Sequence, residues 1–251
     1  MRNPHCKRVV ALAGRKTPRI YRMPDPIKII SSMATKELMA ALGPLFEKAT
    51  GIAVTTESVG GVDATQRIKA GEALDVVMLA AGAIDQLIAE GHVVAGSRVD
   101  LVKSGIAVAV RAGGAAPAIA TESEVKKAVL WAKTVSYSTG PSGVYLEKLF
   151  ERWGITGEVK SRLVVAPPGI PVGRLIAEGK ADLGFQQLSE LKHLAGIDVV
   201  GPLPAEIQLI TTFSAALAAT STRADDVQAM LAFFNSAAAD APKRDAGMEP
   251  A

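Results

Sequence analysis

The chain has 251 residues and a mass of 26.1 kDa, with 49% hydrophobic and only 4% aromatic residues. That is enough to core one large domain or two lobes, and too few rings for a base-stacking platform. The formal charge of +3 gathers at the start: residues 1–22 hold seven Lys or Arg and no acid, leaving 21 basic against 25 acidic groups, a net of −4, for the rest. A mildly acidic body without a DNA-binding motif excludes nucleic acid as the expected partner.

The basic leader, residues 1–26, is predicted to be disordered. Its apolar run, residues 9–14, is shorter than the ~7 to 15 residues of a signal core and is followed by more basic residues. As written, the chain is therefore expected in the cytoplasm. Met23-Pro24-Asp25 offers an alternative start, and a different start carrying an export signal would place the protein in the periplasm. No window approaches the ~18 apolar residues of a membrane span, so no membrane insertion is expected. The single Cys6 excludes an internal disulfide, and His5, His92 and His193 stand at no zinc-ligand spacing, so no metal is expected.

Beyond the leader, strand-length apolar runs alternate with segments of helical period, the pattern of an α/β fold. A strand is predicted at 27–31 and a helix at 35–50, with Leu38, Met39, Leu42, Leu45, Phe46 and Ala49 on one stripe. Gly43-Pro44 should bend that helix. A strand at 52–56, a helix at 63–71, a strand at 74–79 and a helix at 83–91 follow. A strand at 105–111 opens onto a Gly-Ala-Pro loop. The alternation then restarts with strands at 134–137, 162–165 and 182–185 and helices at 145–153 and 172–179. Residues 207–220 form the longest β-prone stretch. The last helix, 223–234, shows Val227, Met230, Leu231 and Phe234 on one face and must pack back on the first lobe. Crossovers near 107–112 and 209–214 would form a hinge beneath a cleft. Ligands in such folds lie at the carboxyl ends of strands.

Four loops carry anion-binding chemistry. Ser31, Ser32, Met33, Ala34 and Thr35 lead into the first helix, and Gly60 and Gly61 follow the second strand. Thr139, Ser142 and Gly143 precede the helix of Tyr145, and Pro171 and Val172 precede Arg174. Backbone N–H groups at helix starts bind negative charge, and glycine lets a ligand approach bare backbone. Each loop alone reads equally as a helix cap or a turn. Four of them, split between two lobes, point to a cleft for a small organic anion or oxyanion. Lys36, Arg67 and Arg174 are solvated helix charges or countercharges to a carboxylate. Gln186 and Gln187 end a strand and should point oppositely, one toward the cleft. Val144 breaks the nucleophile-elbow pattern after Ser142, and neither a phosphate loop nor a dinucleotide fingerprint is present, so no cofactor is expected.

Ordered segments of the chain resemble the molybdate-binding proteins of ABC importers. They are Ile27-Lys28-Ile29-Ile30-Ser31-Ser32-Met33-Ala34, Phe46-Glu47-Lys48-Ala49-Thr50-Gly51-Ile52, Gly71-Glu72-Ala73-Leu74-Asp75-Val76, Gly140-Pro141-Ser142-Gly143-Val144-Tyr145 and Ala181-Asp182-Leu183-Gly184-Phe185. The resemblance implies a two-lobe fold of the type II periplasmic binding class, with a mainly parallel sheet in each lobe and a double-crossover hinge. Residues 27–108 with 212–251 would form one lobe and 109–211 the other. It implies an ABC permease as partner if the chain is exported. Ala34, Gly60-Gly61 and Gln187 stand where the molybdate binders carry Ser, paired Ser and Tyr, and Ser142 where they carry Ala. These changes favour an organic carboxylate over molybdate. A second resemblance, to aconitate isomerase on the same scaffold, raises proton transfer beside a carboxylate, for which Tyr145, Glu57 and Glu190 are the available bases. Catalytic residues stay unassigned at this stage. A cytosolic ligand sensor is the third reading.

Overall fold

The computed structural model describes residues 25–251, so residues 1–24 of the basic leader lie outside the described residues. Strand β1 (Ile27–Ser32) sets the layering, with Ile29 in one core and Ile30 in the opposite one, because successive strand side chains point to opposite faces. A 3-10 turn (Met33–Thr35) leads into α1 (Lys36–Thr50), which continues through Pro44 without a break and stops where Gly51 adopts φ 76°. Strands β2 (Val54–Val59) and β3 (Val76–Ala80) flank β1 in parallel, and α2 (Gly61–Lys69) and α3 (Ala81–Ala89) cover the sheet.

The thirteen-residue β4 (Val99–Arg111) belongs to both halves of the molecule. The chain continues through α4 (Glu122–Trp131), β5 (Val135–Ser138), α5 (Pro141–Arg152), α6 (Thr156–Val159), β6 (Leu163–Ala166) and α7 (Val172–Ala177). Next come β7 (Leu183–Gln187), α8 (Leu188–Leu191), β8 (Ile197–Pro202) and β9 (Ile210–Leu217), then α9 (Ala224–Phe234), α10 (Asp240–Asp245) and β10 (Glu249–Pro250). The strand order is β2-β1-β3-β9-β4-β7-β5-β6, with β8 and β10 also paired to β4. The βα strands are parallel within each half, as expected, while β4, β8, β9 and β10 add antiparallel pairs.

β4 changes sheet partners between Gly105, which pairs with Ile210, and Ile106, which pairs with Gln187. The return path leaves β8 and reaches β9 by Ile210. Both passages lie slightly earlier in the chain than their predicted positions. The hydrophobic pattern could not show where one continuous strand exchanges neighbours.

Helix α9 packs on the first lobe. Its Val227, Met230, Leu231 and Phe234 share a core with Ile27, Ile29 and Phe46. The Phe46 and Phe234 rings meet edge to face at 6.2 Å. In the other half, β4 turns large Ile106, Val108 and Val110 toward one core and small Ala107 and Ala109 toward α7 and α8. The small face brings α7 close: a methyl on Gly184 of β7 would lie 2.5 Å from Ile176 and 2.6 Å from Val172. That packing carries the start of α7 to the end of the sheet.

Candidate functional site

A cleft of about 840 Å³ lies between the two halves. It opens at the carboxyl ends of the parallel strands, where β1 ends at Ser32, β3 at Ala80, β5 at Ser138, β6 at Ala166 and β7 at Gln187, all on its wall. The loops of the two halves come together at Gly60, where a methyl would lie 3.9 Å from the Pro168 Cβ.

Helix starts converge on this space. The residues preceding the 3-10 turn, α2, α3, α5, α7 and α8 are Ser32, Gly60, Ala80, Gly140, Pro171 and Gln187, and each lines the cleft. None of the six caps its helix with a side chain. Helix α4 starts elsewhere and carries a full capping box, in which the Glu124 N–H donates to Thr121 Oγ1 and the Glu124 carboxylate accepts from the Thr121 N–H. An uncapped start is not diagnostic by itself, since α9 lacks a cap too. Convergence is the signal, because the partial positive ends of these helices add their fields in one cavity.

Of the predicted site residues, Ser32, Met33, Ala34, Gly60, Gly61, Thr139, Ser142, Tyr145, Pro171 and Gln187 meet on the cleft wall. Five others do not reach it. The Ser31 hydroxyl is buried against Ser58 Oγ at 2.7 Å, and Thr35 turns its hydroxyl to the Ser32 carbonyl at 3.0 Å. The Gly143 N–H is spent on the Gly140 carbonyl at 3.0 Å. Gly143 itself is a packing residue, since a methyl there would lie 1.6 Å from the Ser138 carbonyl oxygen. The Val172 N–H donates to Gln186 Oε1 at 2.9 Å. Arg174 points outward and pairs with Glu178 one helical turn on. Lys36 is exposed away from the cleft, and Arg67 is clamped by Glu57 and Glu72.

Tyr145 lines the cleft while donating its hydroxyl to the Ile207 carbonyl at 3.0 Å. Gln187 is buried, donates through Nε2 to Thr211 Oγ1 at 2.9 Å, and leaves Oε1 without a partner. Both thus join the cleft wall to the return segment of the hinge. Gln186 also lines the cleft and spans from the Val172 N–H to Glu190, to which its Nε2 donates at 2.7 Å. Burial pushes the Glu190 carboxyl up to about 7, against the opposing hydrogen bond from Gln186. Its neighbour His193 lies at an interface, with Nε2 2.6 Å from the Asp245 carbonyl.

Sequence reasoning missed several wall residues. Ala80 and Ala83 have no polar atoms to mark them, though the end of the third parallel strand is a ligand position on topology alone. Lys148 follows Tyr145 on α5 by three residues and so shares its face. It has no ion pair among the described residues, whereas Lys69, also on the wall, is engaged by Glu90 at 2.7 Å. Asp63 and Glu190 are the acidic residues of the wall.

Comparison with known proteins places this geometry. The chain is 36% identical to an aconitate isomerase from a Pseudomonas species over 249 residues, covering 96% of this chain and 94% of that protein. In fold it is similar to the periplasmic molybdate-binding protein of Azotobacter vinelandii, with 20% identity, TM-score 0.74, and 88% of this chain and 98% of that one covered. It is also similar to the tungstate-binding protein TupA of Desulfovibrio alaskensis G20, with 14% identity, TM-score 0.62, and 90% and 99% covered. Residues 27–249 match the bacterial extracellular solute-binding protein family, and the chain belongs to that family.

Proposed function

We propose that the chain binds a small organic polycarboxylate in its interlobe cleft. The observation that carries this reading is the convergence of six helix or turn starts on one cavity, five of them with no side-chain acceptor on their first N–H groups and the sixth, α7, donating its Val172 N–H to Gln186. Such an array neutralises several negative charges with dipoles and N–H groups, and Lys148 adds one unpaired cation. The cleft, at about 840 Å³, sits toward the upper end of the ~300–1,000 Å³ typical of small-molecule sites and exceeds the need of a single four-oxygen anion. Gln187 and Ser142 would read polar groups of the ligand. Under this reading the partner is an ABC permease. Calorimetry against mono-, di- and tricarboxylates, molybdate and tungstate tests it: tightest binding is expected for a di- or tricarboxylate. Binding of molybdate alone would overturn the organic-anion reading.

A second reading, isomerisation of the bound polycarboxylate, is favoured by the full-length similarity to an aconitate isomerase. Incubating the protein with cis- and trans-aconitate and separating the two acids by chromatography tests it. Interconversion above the buffer rate is the expected result. Binding without interconversion would leave a solute-binding protein alone.

A further inference from the structure

Three acid–base candidates suggested by the sequence are separated by their surroundings. Glu57 is exposed on β2, off the cleft wall, and both of its oxygens are held by Arg67 at 2.7 Å, which lowers its pKa and its basicity. Tyr145 reaches the cleft, but its proton is committed to the Ile207 carbonyl. Glu190 remains, with Oε1 accepting from Gln186 and Oε2 without a hydrogen-bond partner among the described residues.

Its support is rigid in a way a passive wall residue does not need. Gln186 cannot turn freely, because its own Oε1 is held by the Val172 N–H. Helix α8 packs against β4, β7, α7 and β8 in one half and against the 3-10 turn Met33–Thr35 of the other. The adjoining Lys192 donates to the Arg244 carbonyl at 2.7 Å. Of the titratable groups on these elements, Arg174 pairs with Glu178, Asp100 with Arg98, and Asp198 accepts from the Gly113 N–H, while Lys103 and Arg111 of β4 make no ion pair among the described residues. No cation is ion-paired with Glu190 among the described residues.

We propose that Glu190 is the catalytic residue that carries the proton when the bound polycarboxylate is isomerised, with Oε2 as the reacting atom. This inference rests on the isomerase reading above and adds the residue and the step. The carboxylate takes a proton from a methylene carbon that stands between a ligand carboxylate and a carbon–carbon double bond. The freed electron pair enters the three-carbon allylic system. Its charge spreads onto the ligand carboxylates, where the helix starts stabilise it. The protonated Glu190, whose proton can exchange with water while it is held, then protonates the far carbon, so the double bond moves by one position and Glu190 returns to its carboxylate. Return to the original carbon after exchange gives methylene exchange without isomerisation. Atoms and electrons balance without a co-reactant. Desolvation makes this carboxylate a stronger base than an ordinary one while leaving a substantial ionised fraction near neutrality.

The test uses trans-aconitate in D2O, followed by proton NMR for isomerisation and for exchange at the methylene. For Glu190→Gln, which keeps shape and can still accept from Gln186, both rates should fall by about 100-fold or more, with trans-aconitate still bound by calorimetry. The wild-type rate should rise with pH through an inflection near 7. Wild-type isomerisation that survives in Glu190→Gln, or an inflection in the ordinary carboxylate range, would overturn the assignment of Glu190 alone. A wild-type protein that binds trans-aconitate but neither isomerises nor exchanges it would overturn the isomerase reading, and this inference with it.

Discussion

Gln208 satisfies both backbone groups of Ile106: its Oε1 accepts from the Ile106 N–H at 2.8 Å and its Nε2 donates to the Ile106 carbonyl at 3.0 Å. Ile106 is the first residue of β4 beyond the change of sheet partners and is fully buried. At that point the ladder to β9 has ended, and one amide side chain stands in for a strand. Gln208→Leu keeps similar bulk and removes these two bonds and a third, weaker one from Nε2 to the Leu203 carbonyl at 3.3 Å, while the Ile106 carbonyl retains the Leu203 N–H at 3.0 Å. A loss of about 2 kcal/mol is expected, which lowers Tm by about 4–8 °C for a chain of this size. Thermal unfolding followed by circular dichroism checks it, and an unchanged Tm would mean that the hinge does not depend on this clip.

Gly143 tests how closely α5 must approach β5. A methyl at this position would overlap the Ser138 carbonyl oxygen and come within 2.9 Å of the Tyr137 ring. The first obstacle is backbone and cannot swing aside. Gly143→Ala should therefore cost about 3 kcal/mol or more, the upper range of overpacking, despite the higher helix propensity of alanine. Urea denaturation of the variant measures this, and a stability within error of the parent would refute the tight contact.

Layering was legible from the sequence and exchange of strand partners was not. The parallel βα units declared themselves through apolar runs such as Val76–Ala80 followed by a helix start. Helix α4 does not stand out in the sequence although Thr121 and Glu124 spell a capping box, because only Val125 and Val129 are buried and the apolar stripe is narrow. Short β8, α8 and β10 owe their form to long-range pairing with β4 or packing against it, which no local period encodes. In the cleft, loops rich in Ser and Gly were readable, whereas burial was not. Ser31 and Ser32 are adjacent and chemically alike, yet one is sealed against Ser58 and the other lines the cleft. Arg174 had the charge expected of an anion-binding residue and the wrong side of its helix.

Arg174→Ala accordingly serves as a negative control for the cleft. Its side chain is 61% exposed and paired with Glu178 on the outer surface. Such a pair contributes at most about 0.5 kcal/mol. Ligand affinity measured by calorimetry should match the parent. A substantial loss of affinity would show that Arg174 reaches the ligand on closure.

Glu190 should also imprint its ionisation on stability. Its folded-state pKa of about 7 lies above the ordinary 4.5, so the fold prefers the protonated form. The stability this confers is fully present below about pH 4.5 and is lost as the pH rises through about 7. Glu190→Gln cannot ionise and escapes the loss. Its stability relative to the parent should therefore climb across that window by up to about 3 kcal/mol and level off above it. Denaturant midpoints at a series of pH values give the curve; a flat difference would show that the carboxyl is solvated.

Ser142 separates ligand binding from folding most directly. It is buried at the second helical position of α5, on the cleft wall, and its hydroxyl makes no hydrogen bond among the described residues. Since it caps nothing, Ser142→Ala should leave Tm unchanged within about 1 °C or raise it slightly through helix propensity. A bound carboxylate loses a donor aimed along the start of the helix, however, and a hydrogen bond to a charged group is worth about 1.5–3 kcal/mol. Water entering the space left by the hydroxyl would recover part of that, so affinity should fall by about 1–2 kcal/mol, or roughly 5- to 30-fold in Kd. Calorimetry with the tightest ligand of the carboxylate panel and a melting curve on the same preparation give both quantities. An unchanged Kd would remove the α5 start from the binding site and leave the remaining helix starts to hold the anion.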